Sequence, residues 1–365
     1  MVSFTPTSEQ QQLIDTIRRY AVNDVQPIAH EADESGHIPE DVVETGWQIG
    51  LVPTAIPEEF GGLGEMSAVT GVLAAEELAY GDLSVALAVM APALFAYPVT
   101  LYGTAEQREN WLPIFAEEKP APATAALLEP GVFFDPNQLQ TTATVDGDKV
   151  RLNGVKAYVP LAENANIMLV YARDSETGNV DAYLVQRGIE GVEIEAQEKL
   201  MGLRALPTYR VKFNDARVDV PCKLGGAVGC NYENILNRSR VALAALAVGV
   251  ARGAFEYARD YAKQRVAFGV PIATKQAIAF MLAEMAIEVD SARLMTWEAA
   301  WKLDKGEDAT REAYLAKQYA DKAALFVTDS AVQVLGGYGF IREFPAERWL
   351  RNARGFTTFD GLAIV

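Results

Sequence analysis

Cysteine and histidine are almost missing from this chain, with two of each among 365 residues. Cys222 and Cys230 cannot build a disulfide framework, and with no histidine near them they form no zinc-ligand pattern. His30 and His37 both fall in the first helical region, which excludes histidine-based triads and histidine-ligated metals from most of the chain. No metal site is expected. Basic residues are also scarce: 32 Lys and Arg face 49 Asp and Glu, for a net charge of −17. A chain this acidic repels phosphate backbones and anionic membrane surfaces, so nucleic acid is excluded as a partner. Residues 1–12 are polar, without the basic start and apolar run of a targeting signal. The longest uncharged stretches are residues 83–105, interrupted by Pro92 and Pro98, and residues 241–251, too short to span a bilayer. Both read as buried helices, with no membrane insertion and a cytoplasmic location expected. The dinucleotide-binding G-x-G-x-x-G after a strand, the P-loop and the G-x-S-x-G elbow are all absent. Chemistry must then come from carboxylates or a cofactor.

What is present divides into three textures. Residues 1–118 read as an α-helical domain. Ser8 caps a helix with Leu13, Ile17 and Ala21 on one face; residues 40–51, 68–80 and 105–117 follow, with Pro113 inside the last. Residues 119–228 shift to a period near 2, in short runs at 139–145, 149–152, 167–172, 181–186 and 209–213 separated by Asp-Gly, Asn-Gly and Gly-Asn turns. This predicts a β domain, barrel or sandwich. Residues 229–365 return to long helices: Ile278, Met281, Met285, Val289 and Ala292 hold one face, Glu284, Glu288 and Ser291 the other. They predict a four-helix bundle, completing an α+β multidomain chain.

Several motifs resemble those of the acyl-CoA dehydrogenases. Gln333-Val-Leu-Gly-Gly-Tyr-Gly-Phe-Ile-Arg-Glu-Phe-Pro-Ala-Glu-Arg-Trp-Leu-Arg-Asn-Ala-Arg354 is similar to that family's C-terminal signature. Gln264-Arg-Val-Ala-Phe-Gly-Val-Pro-Ile272, followed by Gln276, resembles its R-x-x-F-G segment. Pro57-Glu-Glu-Phe-Gly-Gly-Leu-Gly64, Leu152-Asn-Gly-Val-Lys156 and Gly202-Leu-Arg-Ala-Leu-Pro-Thr208 resemble its N-terminal turn and two β-domain segments. The resemblance implies a helical–β–helical fold and FAD as cofactor. It implies desaturation of an acyl-CoA at Cα–Cβ, with electrons passing to an electron-transferring flavoprotein. It also implies a tetramer, homo- or heteromeric, in which each FAD is shared between neighbours.

Carried over by position, the resemblance makes Arg265, Phe268, Gln276, Gln333, Gly336 and Gly337 the residues that hold a neighbour's adenosine diphosphate end. By the same resemblance Arg240 matches a basic residue beside the family's acyl-CoA pocket, and Asp360 stands where the family's base stands, in Phe359-Asp-Gly-Leu362 rather than Y-E-G-T. The segments that would seat the chain's own flavin ring depart further. The family's T-E-P-G-A-G-S-D reads Leu128-Glu-Pro-Gly-Val-Phe-Phe-Asp135, and its W-I-T or W-I-S reads Tyr158-Val-Pro160. Hydroxyl donors are replaced by hydrocarbon, and Pro160 has no backbone N–H. Three functions follow as expectations: an acyl-CoA dehydrogenase with Asp360 as base, an impaired α2β2 partner subunit that completes a neighbour's FAD site, or a flavoenzyme on a non-CoA substrate such as a nitroalkane.

Overall fold

Thr7 rather than Ser8 caps the first helix, because its hydroxyl accepts the Gln10 N–H while the Gln10 side chain returns to the Thr7 N–H. The computed structural model describes residues 5–365. The first region is helical: α1 (Ser8–Tyr20), α2 (Ala29–Ser35), α3 (Glu40–Gln48), α4 (Leu51–Ala55), α5 (Ala68–Gly81), α6 (Leu83–Met90), α7 (Ala93–Tyr102) and α8 (Ala105–Trp111). Pro92 separates α6 from α7, whereas Pro98 is accommodated inside α7. Pro113 ends the regular helix after α8, and a single tight turn, Pro113–Ala116, follows. The apolar window of α6–α7 is 94% buried and that of the long helix α9 (Tyr232–Gln264) 83% buried, inside the protein itself.

The middle of the chain forms one seven-stranded sheet. Its strands are β1 (Ala123–Ala126), β2 (Thr142–Asp146), β3 (Lys149–Pro160), β4 (Ile167–Asp174), β5 (Val180–Gln186), β6 (Val192–Gln197) and β7 (Thr208–Asp219). The order runs β1-β4-β2-β3-β7-β6, with β5 on β4. Strand β3 runs well past the predicted Leu152, and its pairing with β7 is irregular between Lys156 and Val159. That irregularity coincides with Tyr158 in the left-handed region at φ +54. A non-glycine residue there is uncommon, and it re-aims the end of the strand.

The last region returns to long helices: α9, α10 (Gln276–Asp304) and α11 (Thr310–Leu335), followed by the single turn α12 (Gly337–Phe340) and α13 (Ala346–Gly355). The hairpin β8–β9 (Val266–Ala267, Val270–Pro271) joins α9 to α10. The short α13 packs on α9 and α11 as the fourth member of the bundle, and α5 of the first region packs on α9 and α10. Met285, Val289 and Ala292 are buried on the expected face of α10.

Helix α9 is the spine of the molecule. Residues 241–251 are small or apolar and entirely buried. Its contact with α5 is close enough that a Cβ on Gly249 would stand 2.3 Å from the Glu76 carbonyl oxygen. Beside that contact lies a buried charge cluster. Arg252 donates to Glu76 Oε1 at 2.7 Å and to Glu77 Oε2 at 2.8 Å. Arg293 of α10 donates to Glu76 at 2.9 Å, and Arg18 of α1 pairs with Glu77. Four helices are thereby fixed at one point. Overpacking of such a contact costs about 1–3 kcal/mol. Gly249→Ala is therefore expected to lower unfolding stability by about that amount in denaturant titration, without changing helix content.

Candidate active site and dinucleotide cradle

Two separate sites grow from α9. At its C-terminal end, Arg265 leaves the helix and places its guanidinium 5.4 Å over the Tyr338 ring. Among the described residues Arg265 makes no ion pair, so its fork of donors is free for a ligand. Opposite it, α11 ends at Gly336 with φ +60, and Gly337 opens α12. A Cβ at either glycine would meet nothing within 4 Å. Arg265, Gly336, Gly337, Tyr261 and Tyr338 line one open cavity of about 430 Å³. The structure thus brings three of the six expected cradle residues together. Gln333 lies exposed one turn earlier, while Phe268 (95% exposed, φ +55) and Gln276 stand outside the cavity on the hairpin and at the start of α10.

The second site forms near the other end of α9. Asp360 is half-buried on the turn between buried Phe359 and Leu362, and the following Gly361 N–H donates to Ser239 Oγ at 3.0 Å. Burial raises the Asp360 carboxyl above the ordinary carboxylate range, while Lys317 and Arg240 pull it back. Arg240 is itself half-buried, with its guanidinium 5.6 Å from the Tyr314 ring. Residues 362–365 are buried; Ile364 packs into the slot walled by Leu94, Leu127, Tyr171 and Leu236, and the Val365 carbonyl accepts from Arg238 at 2.9 Å. The space left in that slot is about 10 Å³, room for roughly one water.

The segments beside Asp360 that correspond to a flavin seat are filled by this chain's own groups. Phe134, Tyr158 and Leu161 are half-buried and pack against the apolar core. The Tyr158 N–H is taken by Glu198 Oε2 at 2.8 Å, the Leu161 N–H by the Pro207 carbonyl at 2.9 Å, and the Pro160 carbonyl by Thr124 Oγ1 at 2.7 Å. Leu128 is buried, and its carbonyl is occupied by the Ala157 N–H. Behind them lies a buried ion pair in which Lys156, fully enclosed, donates to Glu129 Oε1 at 2.8 Å. Burial alone would raise the Glu129 carboxyl, but Lys156 and the N–H groups of Gln140 and Thr141 hold it below its ordinary range. The cradle at Arg265 therefore fits a dinucleotide's phosphate end, whereas Leu128, Phe134 and Pro160 offer a flavin ring no side-chain hydroxyl.

Arg240 and Arg265 are 25 residues apart along α9, about 37 Å at 1.5 Å per residue, so the Asp360 turn and the Arg265 corner are well separated.

The arrangement defines a class: a multidomain chain with a charge-flanked carboxylate near one end of a long helix and an open, glycine-lined arginine corner at the other. The chain belongs to the acyl-CoA dehydrogenase family, whose members are FAD-dependent oxidoreductases. It matches the family's N-terminal domain over residues 7–119, its middle domain over 124–216 and its C-terminal domain over 231–363. Among its relatives, mitochondrial short-chain specific acyl-CoA dehydrogenase of Bos taurus is 34% identical over 358 residues, covering 96% of this chain and 86% of that one. Butyryl-CoA dehydrogenase from Megasphaera elsdenii superposes with TM-score 0.89 at 31% identity, covering 98% and 95% of the two chains. A chain from the structure of the electron transferring flavoprotein of Acidaminococcus fermentans superposes with TM-score 0.90 at 31% identity, with the same coverage.

Sequence reasoning missed Lys317 and Asp321, which sit buried behind Asp360 on α11. Their i, i+4 spacing reads as a surface pair, and only the alanines around them (Ala313, Ala316, Ala320, Ala324) signal that this face is covered. Burial pushes the Asp321 carboxyl up to about 6, against the pull of Lys317. A carboxyl raised above its unfolded value of about 3.9 contributes stability below that pH and loses it as pH rises towards the folded value. Stability is expected to decline between about pH 4 and 6, and Asp321→Asn to flatten that decline in denaturation curves taken across this range. Asp360, raised in the same direction, leaves a residual slope of the same sign.

Proposed function

We propose that this chain takes part in the α,β-desaturation of an acyl-CoA thioester, with Asp360 as the base that removes the α-proton. Bound FAD would supply the acceptor for the β-hydride. The reading is carried by the placement of Asp360 on a turn pinned to α9 through Ser239, with Arg240 beside it. Burial makes a carboxylate a stronger base, and a fixed turn supplies the alignment that proton abstraction needs. Arg240 offers a positive charge for a thioester's anionic carrier. The short-chain and butyryl relatives favour a short acyl group as substrate. An electron-transferring flavoprotein would collect the electrons, in the cytoplasm.

The occupied seat at residues 158–160 favours a second reading: an impaired partner in a heteromeric α2β2 tetramer, whose cradle at Arg265 completes the FAD site of a related subunit. In that assembly Arg265 clamps the pyrophosphate, Gly336 and Gly337 let it approach the backbone, and Gln333 and Gln276 border the site.

The two readings differ in colour. The purified chain alone is expected to show little flavin absorbance and to gain it on mixing with a related subunit. Tightly held FAD in the isolated chain, bleached by butyryl-CoA, would establish an autonomous enzyme instead, while bleaching only by a nitroalkane would move the substrate outside the thioesters. In the flavin-bearing assembly, loss of a charge-assisted contact worth about 1.5–3 kcal/mol corresponds to roughly a 10- to 100-fold loss of affinity. Arg265→Ala is expected to weaken FAD retention by that factor in equilibrium dialysis.

A further inference from the structure

Lys317 and Asp321 are buried on α11 one turn apart, within the bundle and away from solvent. The Lys317 ammonium donates to Asp321 Oδ2 at 2.8 Å and to the Phe356 carbonyl at 2.9 Å. Phe356 begins the turn that carries Asp360, four residues on. The second oxygen, Asp321 Oδ1, is buried without a hydrogen-bond partner among the described residues. An enclosed ion pair is a poor way to gain stability, since well-packed apolar side chains of similar volume do as well or better. A half-satisfied carboxylate is poorer still. The pair therefore calls for a role other than holding the bundle together.

Its surroundings supply one. Asp360 feels Lys317 from α11, Arg240 from α9 and Asp135 from the loop between β1 and β2, and Tyr232 at the start of α9 feels Asp360 in turn. Asp321 feels Lys317 and Asp360. Lys317 thus lies within the fields of two carboxylates and hydrogen-bonds one of them. A bare ammonium behind a catalytic carboxylate would stabilise its ionised form and weaken it as a base. An ammonium already neutralised by its own aspartate leaves the base strong and still anchors the turn.

We propose that Lys317 and Asp321 act as a joint positioning pair for Asp360, with Lys317 tethering the turn through the Phe356 carbonyl and Asp321 cancelling the Lys317 charge. The consequence for catalysis rests on Asp360 being the base; the test does not. The carboxyl titration of Asp360 is read by 13C NMR on the purified full chain labelled at aspartate, with the signal assigned through Asp360→Asn.

Removing Lys317 separates the proposed role from a merely structural one. Lys317→Met is expected to raise the Asp360 midpoint, and Asp321→Asn to lower it, each by about one pH unit. Were Lys317 only a tether, its loss would free and solvate the turn, and the midpoint would fall towards the ordinary carboxylate value. A fall, or no change, in Lys317→Met overturns the proposal. Should that variant not fold, the same comparison is made between Asp321→Asn and the double variant Lys317→Met/Asp321→Asn, which carries no buried charge at these positions. The midpoint is expected to rise from the former to the latter, and a fall or no change overturns the pair. An uncoupled titration in a chain that supports desaturation would remove the pair and leave the base. A coupled titration alongside an Asp360→Asn variant that supports full desaturation would remove the base and leave the pair.

Discussion

The immobility of α9 is the constraint on which the rest of the molecule depends. A helix 33 residues long, buried through its middle and clamped by Arg252 to two glutamates of α5, acts as a rigid ruler. It fixes Ser239 and Arg240 against the Asp360 turn near one end and Arg265 against the Gly336 corner at the other. Because its rise is set by backbone hydrogen bonding, no side-chain rearrangement brings those ends together.

The two ends have had different chemical histories. At Arg265 every feature suits a ligand that arrives from outside: an unpaired guanidinium, an aromatic floor, and glycines with open space above them. Around residues 158–160 the hydrogen-bonding groups are spent internally, on Glu198, Pro207 and Thr124, and half-buried Phe134 packs against the core. Asp360 nevertheless keeps an enclosed, charge-flanked position. Asp360 thus stands beside segments in which Leu128, Phe134 and Pro160 carry no hydroxyl.

Much of this was legible in the sequence because it is written in local pattern. The change of period from 3.6 to 2 and back placed the sheet between helical regions, and the face of α10 with Met285, Val289 and Ala292 turned inward as its spacing implied. The motif around Gly336 and Gly337 falls where α11 ends beside Arg265. Other parts were not visible for physical reasons. Strand β1, Ala-Thr-Ala-Ala, has almost no strand propensity and exists because it pairs in parallel with β4. The cap fell on Thr7 in place of Ser8 because both can cap, and only the reach of Gln10 decides between them. Lys317 and Asp321 have the look of a solvated pair until α9 and the 356–360 turn are packed over them. Long-range burial, not residue type, makes them part of the site.

The central claim is that the nucleotide cradle and the carboxylate centre of one chain serve different cofactors. It is tested most directly by a crystal structure of the FAD-loaded assembly. The account predicts electron density for the adenosine diphosphate end at Arg265 and Gly336 of this chain, with the isoalloxazine of that same FAD on a neighbouring polypeptide. A complete flavin lying wholly within one copy of this chain, ring against Tyr158 and Pro160, would contradict it.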